Sequence, residues 1–278
     1  MATFELFRYQ LLPASQEHQQ DLFGESLTLD QIKEKKNEIF WELLQEGALF
    51  NSEKLLQKTL FSEGYWFSIK LAPKRKTVIN KPDFRSESVE NWPHITVFIN
   101  NDPAVQIIGV SRNQRAFKDS ISVVRTLEKR IGKPLKDRGL TVQFQSIYEQ
   151  TEFWQLMQQQ RGRVERVRFE MISPNMANIS GVLKVDLRRL NQESNSQKTT
   201  LELEAVAGSA LQIDQSDGLI SSCVDYSANG GGDIKVKIKG FKKIIRTSTS
   251  VRTIEADEII FEDTNCESLD LLLKGVLK

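Results

Sequence analysis

The stretch that decides the fold is residues 226–240, YSANGGGDIKVKIKG. Three consecutive glycines, Gly230, Gly231 and Gly232, stand before an alternating lysine-rich run. A phosphate cradle needs a strand, then a glycine turn, then a helix whose free N–H groups face the anion. Here the order is reversed. Leu219, Ile220, Cys223 and Val224 share one side of a helix over 215–227, and DIKVKIKG alternates as a strand. The glycines therefore close a helix at its carbonyl end, where the partial charge is negative. Neither GxxxxGK[ST] nor a GxGxxG opening a helix occurs. A helix stop and tight turn explain the run, and no nucleotide cofactor is called for.

The same alternation repeats to either side. TFELFRYQLL (3–12), GYWFSIKLA (64–72), LTVQFQSI (140–147), RVERVRFEMI (163–172), TTLELEAVA (199–207) and TIEADEIIFE (253–262) read as strands. HITVFI and AVQIIGV flank the turn NNDP (100–103) as a hairpin. Helical spacing marks a helix beginning at Thr28 and stopped by Gly47, one over 117–131 ended by Gly132 and Pro134, and a short one over 151–160 capped by Thr151. It also marks 178–191 and a closing helix in ESLDLLLKGVL (267–277). Residues 13–26 read as a long polar loop, and 73–93 as a polar connection with three prolines. Strands and helices are interspersed, so the class is α+β with a mixed or mainly antiparallel sheet. A boundary near SPNMAN (173–178) divides the chain into 1–173 and 174–278, or both form one continuous domain.

The chain has 278 residues, 39% hydrophobic and 27% charged, the composition of a globular protein with a sizeable core. No apolar run approaches a bilayer span, and MATFELFRYQLLPAS lacks the pattern of a secretory signal. Cys223 and Cys266 have no CxxC or metal-ligand spacing, which fits a reduced cytoplasm. His18 and His94 are the only histidines and neither sits in a nucleophile motif. Zinc chemistry has no ligand set here.

Charge is the strongest anomaly. Formal net charge is only +1, but Lys235, Lys237, Lys239, Lys242, Lys243, Arg246 and Arg252 run without an acidic residue among them. The sign then reverses through Glu255, Asp257, Glu258, Glu262, Asp263, Glu267 and Asp270. Arg161, Arg163, Arg166 and Arg168 form a second cluster, and Lys74, Arg75, Lys76 and Lys81 a third. A strand aims alternate side chains to one side, so Lys235, Lys237 and Lys239 form a basic stripe. That stripe either contacts phosphates or is a solvated edge paired with nearby acids. Adjacent faces of opposite sign also suit a homo-oligomer. Asp225, followed by Asp233 and Lys235, has the letters of a metal-dependent nuclease, in which two carboxylates hold Mg²⁺ and a lysine assists the attacking water. Placing Asp225 on a helix weighs against that alternative, and no metal site is assigned.

FELFRYQLLP (4–13), ITVFINNDPAVQIIGV (95–110), FEMISPN (169–175) and VDYSANGGGDIKVKIKG (224–240) together resemble a loosely defined group of bacterial proteins encoded in mobile elements and phage-defence neighbourhoods. The resemblance implies a cytoplasmic accessory or sensing role in defence against phage or foreign DNA. Joined to the basic positions, it gives the expectation of a non-enzymatic component that binds nucleic acid or a protein partner. It carries over no catalytic residue. A module neutralising a toxic partner is a further alternative.

Overall fold

The computed structural model describes residues 1–14, 28–47, 49–173, 193–194, 196–247, 250–261, 266, 269–271 and 273. Positions 15–26 of the expected polar loop, the helix expected over 178–191, positions 174–178 of the expected boundary and most of the closing helix lie outside them. The class is α+β with antiparallel sheets, as the alternation implies. No helix among the described residues is long and apolar enough to cross a membrane.

Chain contacts gather into two discontinuous compact units. The first comprises Met1–Glu5, Asp30–Val142 and Thr253–Lys278; the second comprises Leu6–Leu29 and Gln143–Arg252. Both sides of position 173 thus belong to the second unit.

Strand β1 (Ala2–Pro13) contributes to both units. In the first unit its opening residues pair with β13 (Thr253–Ala256). The sheet continues through β7 (Ile107–Ser111), β6 (Ile95–Asn100), β3 (Trp66–Pro73) and β2 (Leu55–Glu63), while β8 (Leu140–Ser146) also pairs with β1. Phe4, Phe98 and Phe261 pack at the centre, the last two stacked 4.8 Å apart. Helix α1 (Leu29–Gln45) buries Ile32, Ile39, Phe40 and Leu43, the face its spacing marks.

Four expectations need correction. Helix α2 (Ser120–Lys136) runs through Gly132 and Pro134, because buried Leu135 anchors its last turn. Helix α3 (Gln150–Gln159) starts at Glu149, without a side-chain cap. The strand expected over 253–262 stops at Ala256 and gives way to a 3₁₀ turn, Glu258–Phe261. The polar connection of 73–93 is a hairpin of β4 (Arg75–Asn80) and β5 (Ser86–Asn91), exposed at every strand position. With neither face buried, it has no apolar alternation to betray it.

The second unit is a two-layer structure. Its sheet runs β10 (Lys198–Glu204), β9 (Val164–Ile172), β11 (Gly232–Ile238) and β12 (Ile245–Arg246), all antiparallel. Val167, Phe169, Ile234, Val236 and Ile238 point inward. They meet Phe153, Trp154 and Met157 of α3 and Ile220, Cys223 and Val224 of α4 (Gly218–Tyr226). Burial raises the Cys223 thiol to about 11, with Asp217 adding to the shift, so it is an inert core residue.

The glycine run sits where the sequence places it, after α4 and before β11. A π-helical turn, Ser227–Gly231, ends the helix, and Gly230 takes φ +80°. A β-carbon on Gly230 would stand 2.5 Å from that of Arg8; one on Gly231 would overlap the Tyr226 ring; one on Gly232 would overlap the Glu170 carbonyl. The carbonyls freed by the turn have donors. Arg8 Nε donates to Asn229 O at 2.6 Å, and Tyr148 N–H donates to Ala228 O at 3.0 Å. Arg8 is buried, and desolvation lowers its pKa to about 10, partly offset by Tyr226. A cation at the carbonyl end of a helix is electrostatically favoured.

Candidate nucleic-acid interface

The outer face of the second unit's sheet carries Arg166, Arg168, Lys235 and Lys237, with Lys239 just beyond the end of β11. Register decides which of them keep their charge available. Arg166 pairs across the ladder with Glu204, and Arg168 with Glu202. On the other side Lys237 lies opposite Arg166, Lys235 opposite Arg168, and Asp233 opposite Glu170. Opposed side chains on one face are close enough to interact.

Most of these cations are engaged by carboxylates. The Arg166 guanidinium donates to Glu204 at 2.6 Å, and Arg168 to Glu202. Lys235 Nζ is 2.6 Å from Glu170 Oε1, and Lys198 Nζ is 2.9 Å from Oε2 of the same carboxylate. The Lys235 side chain is only 21% exposed. Burial alone would raise the Glu170 carboxyl, but hydrogen bonds from Lys235 and Lys198 hold it below its ordinary value. Lys235 is therefore a member of a local ion-pair lattice. Arg252, the last residue of the basic run, reaches Glu149 at 2.9 Å.

The lysines beyond Lys235 are different. Lys237 donates to the Phe241 carbonyl, a neutral acceptor, at 2.5 Å. Lys239, Lys242 and Lys243 are exposed, and among the described residues neither they nor Lys237 has a carboxylate partner. Register between β9 and β11 shifts at Lys237/Ile238, so that Ile238 lies opposite Val164. Beyond the shift, Lys239 N–H donates to Arg163 O. Arg163 itself precedes the strand; its guanidinium donates to Lys239 O at 3.1 Å and lies over the Phe241 ring at 5.5 Å. Arg161 is exposed in the turn before it.

Lys237, Lys239 and Lys242 line an open groove of about 560 Å³, whose other wall is the segment after β10, including Val206 and Gly208. Arg166 and Glu204 lie in its floor as a pair, and Glu165 is the remaining acid. The groove is thus net positive and shallow. Val206 is 80% exposed and Ile244 55% exposed on its rim. Sequence reasoning found the lysines but missed this wall, because Ala205–Ser209 carries no charge and no motif.

The nuclease candidates are spread over different surroundings. Asp225 lies on α4, and burial raises its pKa. Asp233 is the second residue of β11; among the described residues its buried Oδ1 has no hydrogen-bond partner. It stands near the Tyr148 hydroxyl, whose pKa burial pushes well up, with Asp233 adding to the shift. Lys235 is held by Glu170. Among the described residues no three His, Cys, Asp or Glu side chains gather as a metal site.

No protein-family model, curated protein or solved structure matches the chain.

Proposed function

We propose that this chain is a non-enzymatic nucleic-acid-binding component of a bacterial anti-phage defence system, and that Lys237, Lys239 and Lys242 contact the phosphate backbone. The observation carrying the binding half is the contrast within one face. Arg166, Arg168, Lys198 and Lys235 are matched by Glu170, Glu202 and Glu204, whereas the lysines bordering the groove have no carboxylate partner among the described residues. Unmatched cations along a groove release counterions when phosphates replace solvent, which favours binding without base readout. Phe241, exposed beside them, offers a ring on which a base could stack. The defence setting is supported by the resemblance of the four quoted segments.

The test is a charge reversal. In the triple variant Lys237→Glu, Lys239→Glu, Lys242→Glu, affinity for DNA and RNA oligonucleotides, read by fluorescence anisotropy, should fall below detection while the circular dichroism spectrum is unchanged. Lys58→Glu, on exposed β2, serves as the control. Undiminished affinity in the triple variant discards the reading. A second reading, an acidic segment of a protein partner, is favoured by exposed Val206 and Ile244 on the same rim. It is selected if the wild type binds no nucleic acid but co-purifies with an acidic protein that the triple variant releases. Homo-oligomer formation belongs to the same proposal, and solution mass with the absorbance ratio of the purified protein tests it.

A further inference from the structure

Phe84 is 98% exposed, yet its backbone adopts φ +63°. It belongs to the tip of the β4–β5 ribbon, where Lys81, Pro82, Asp83 and Phe84 form a turn closed by Phe84 N–H to Lys81 O at 3.0 Å. Lys81 N–H then donates to Arg85 O at 2.9 Å. A turn followed by a left-handed residue is a standard hairpin closure, and that last position belongs to glycine or asparagine. A bulky side chain there costs roughly 1–2 kcal/mol. Phe84 recovers none of it by packing. Local stability would be better served by glycine, so the ring is explained by something it touches outside the chain.

The rest of the ribbon indicates what that is. Both faces are solvent-exposed along both strands, and a lone two-stranded ribbon is marginal in water without a partner. Residues 74–91 carry Lys74, Arg75, Lys76, Lys81 and Arg85 against Asp83, Glu87 and Glu90, five cations to three carboxylates. Lys74 pairs with Glu90 and Lys81 with Glu87, each at 2.5 Å and each on the surface. Such exposed pairs contribute little and exchange readily for phosphate. Six residues per strand span about 20 Å, long enough for the ribbon to reach from the protein into a groove of a duplex. An apolar side chain at a basic tip is the form of a wedge that parts two stacked base pairs. A membrane is the poorer fit, because the only large apolar residue of the tip sits between Asp83 and Arg85.

We infer that the β4–β5 hairpin is a nucleic-acid arm whose Phe84 ring inserts against unstacked bases while Lys81 and Arg85 hold the flanking phosphates. The inference rests on the nucleic-acid reading of the chain but uses residues outside the lysine groove. The experiment uses full-length protein and a duplex containing 2-aminopurine, which brightens when unstacked. Wild type should raise the fluorescence at saturation. Phe84→Gly should melt no lower than wild type, lose the fluorescence rise, and bind about 5- to 150-fold more weakly, the effect of one lost stacking contact. Lys58→Glu, outside both the hairpin and the groove, should bind and show the rise as wild type does. A Phe84→Gly protein with full affinity and full fluorescence overturns the arm, whereas a wild type that binds no nucleic acid overturns the underlying reading instead. Binding of wild type to anionic vesicles, abolished in Phe84→Gly with no change in base fluorescence, overturns the arm in favour of a membrane contact.

Discussion

Gly232 leaves no room for a β-carbon, because the Glu170 carbonyl oxygen of the neighbouring strand occupies that space. Backbone cannot swing aside as a flexible side chain can. Gly232→Ala should therefore destabilise the protein by about 1–3 kcal/mol, the ordinary cost of overpacking, read as a lower urea midpoint with an unchanged slope. Gly132 makes the opposite case. It lies inside α2 with nothing within 4 Å of a β-carbon and no positive φ. Gly132→Ala should stabilise by about 0.5–1 kcal/mol in the same titration. The direction of the glycine run, after a helix and before a strand, was legible from residues 215–240 alone. The reason for three glycines was not. Gly231 faces the nearby Tyr226 ring, but Gly230 depends on Arg8, whose bond to Asn229 spans 221 positions of sequence, and Gly232 on Glu170 across the ladder. Close approach by a distant segment leaves no local pattern.

Alternation of apolar and charged residues announced the β11 strand and the outward side of its lysines. Which lysines remain unmatched is a property of the β9–β10–β11 ladder, and neighbour strands are set by tertiary pairing. Glu202 and Glu204 lie 34 and 38 positions from the arginines they bind. Two predictions belong to this ladder. Glu204→Gln removes the nearer of Arg166's two carboxylate partners, leaving Glu202 at 3.7 Å, and takes one acid from the groove. Stability should change by less than about 0.5 kcal/mol, since the pair is exposed, while oligonucleotide affinity rises. Unchanged affinity would place the ligand elsewhere. Glu170→Gln acts on the half-buried end of the lattice and should cost about 1 kcal/mol at neutral pH. The folded-state pKa of Glu170 is lowered, so its contribution is present above the ordinary carboxylate pKa. It fades as pH falls through that value toward the lower folded one. Urea midpoints of wild type and Glu170→Gln should differ at pH 7 and converge in acid; a constant gap would show that the carboxylate charge is not what Lys235 and Lys198 require.

Across the whole chain the net charge is +1, so attraction of a polyanion is confined to local fields. At physiological salt those fields reach about 8 Å. The chain's order conceals its organisation at this scale: each compact unit is assembled from separated segments, and of the crossings only Arg252/Thr253, where the charge reverses sign, coincides with a change quoted from the sequence. Within the second unit Leu6 donates its N–H to Arg252 O at 2.9 Å and accepts from Ile147 N–H at 3.1 Å. No scan for linkers would join those three positions. The charge map nonetheless fixes a quantitative expectation. If Lys237, Lys239 and Lys242 each displace one counterion from duplex DNA, affinity should fall roughly 40-fold between 50 and 200 mM salt. The triple reversal should remove that dependence along with the binding. The slope of log affinity against log salt, measured by anisotropy, counts the phosphates directly. A slope near zero with binding retained would mean that the exposed Val206, Ile244 and Phe241 side chains hold the ligand, and that the lysines serve solubility alone.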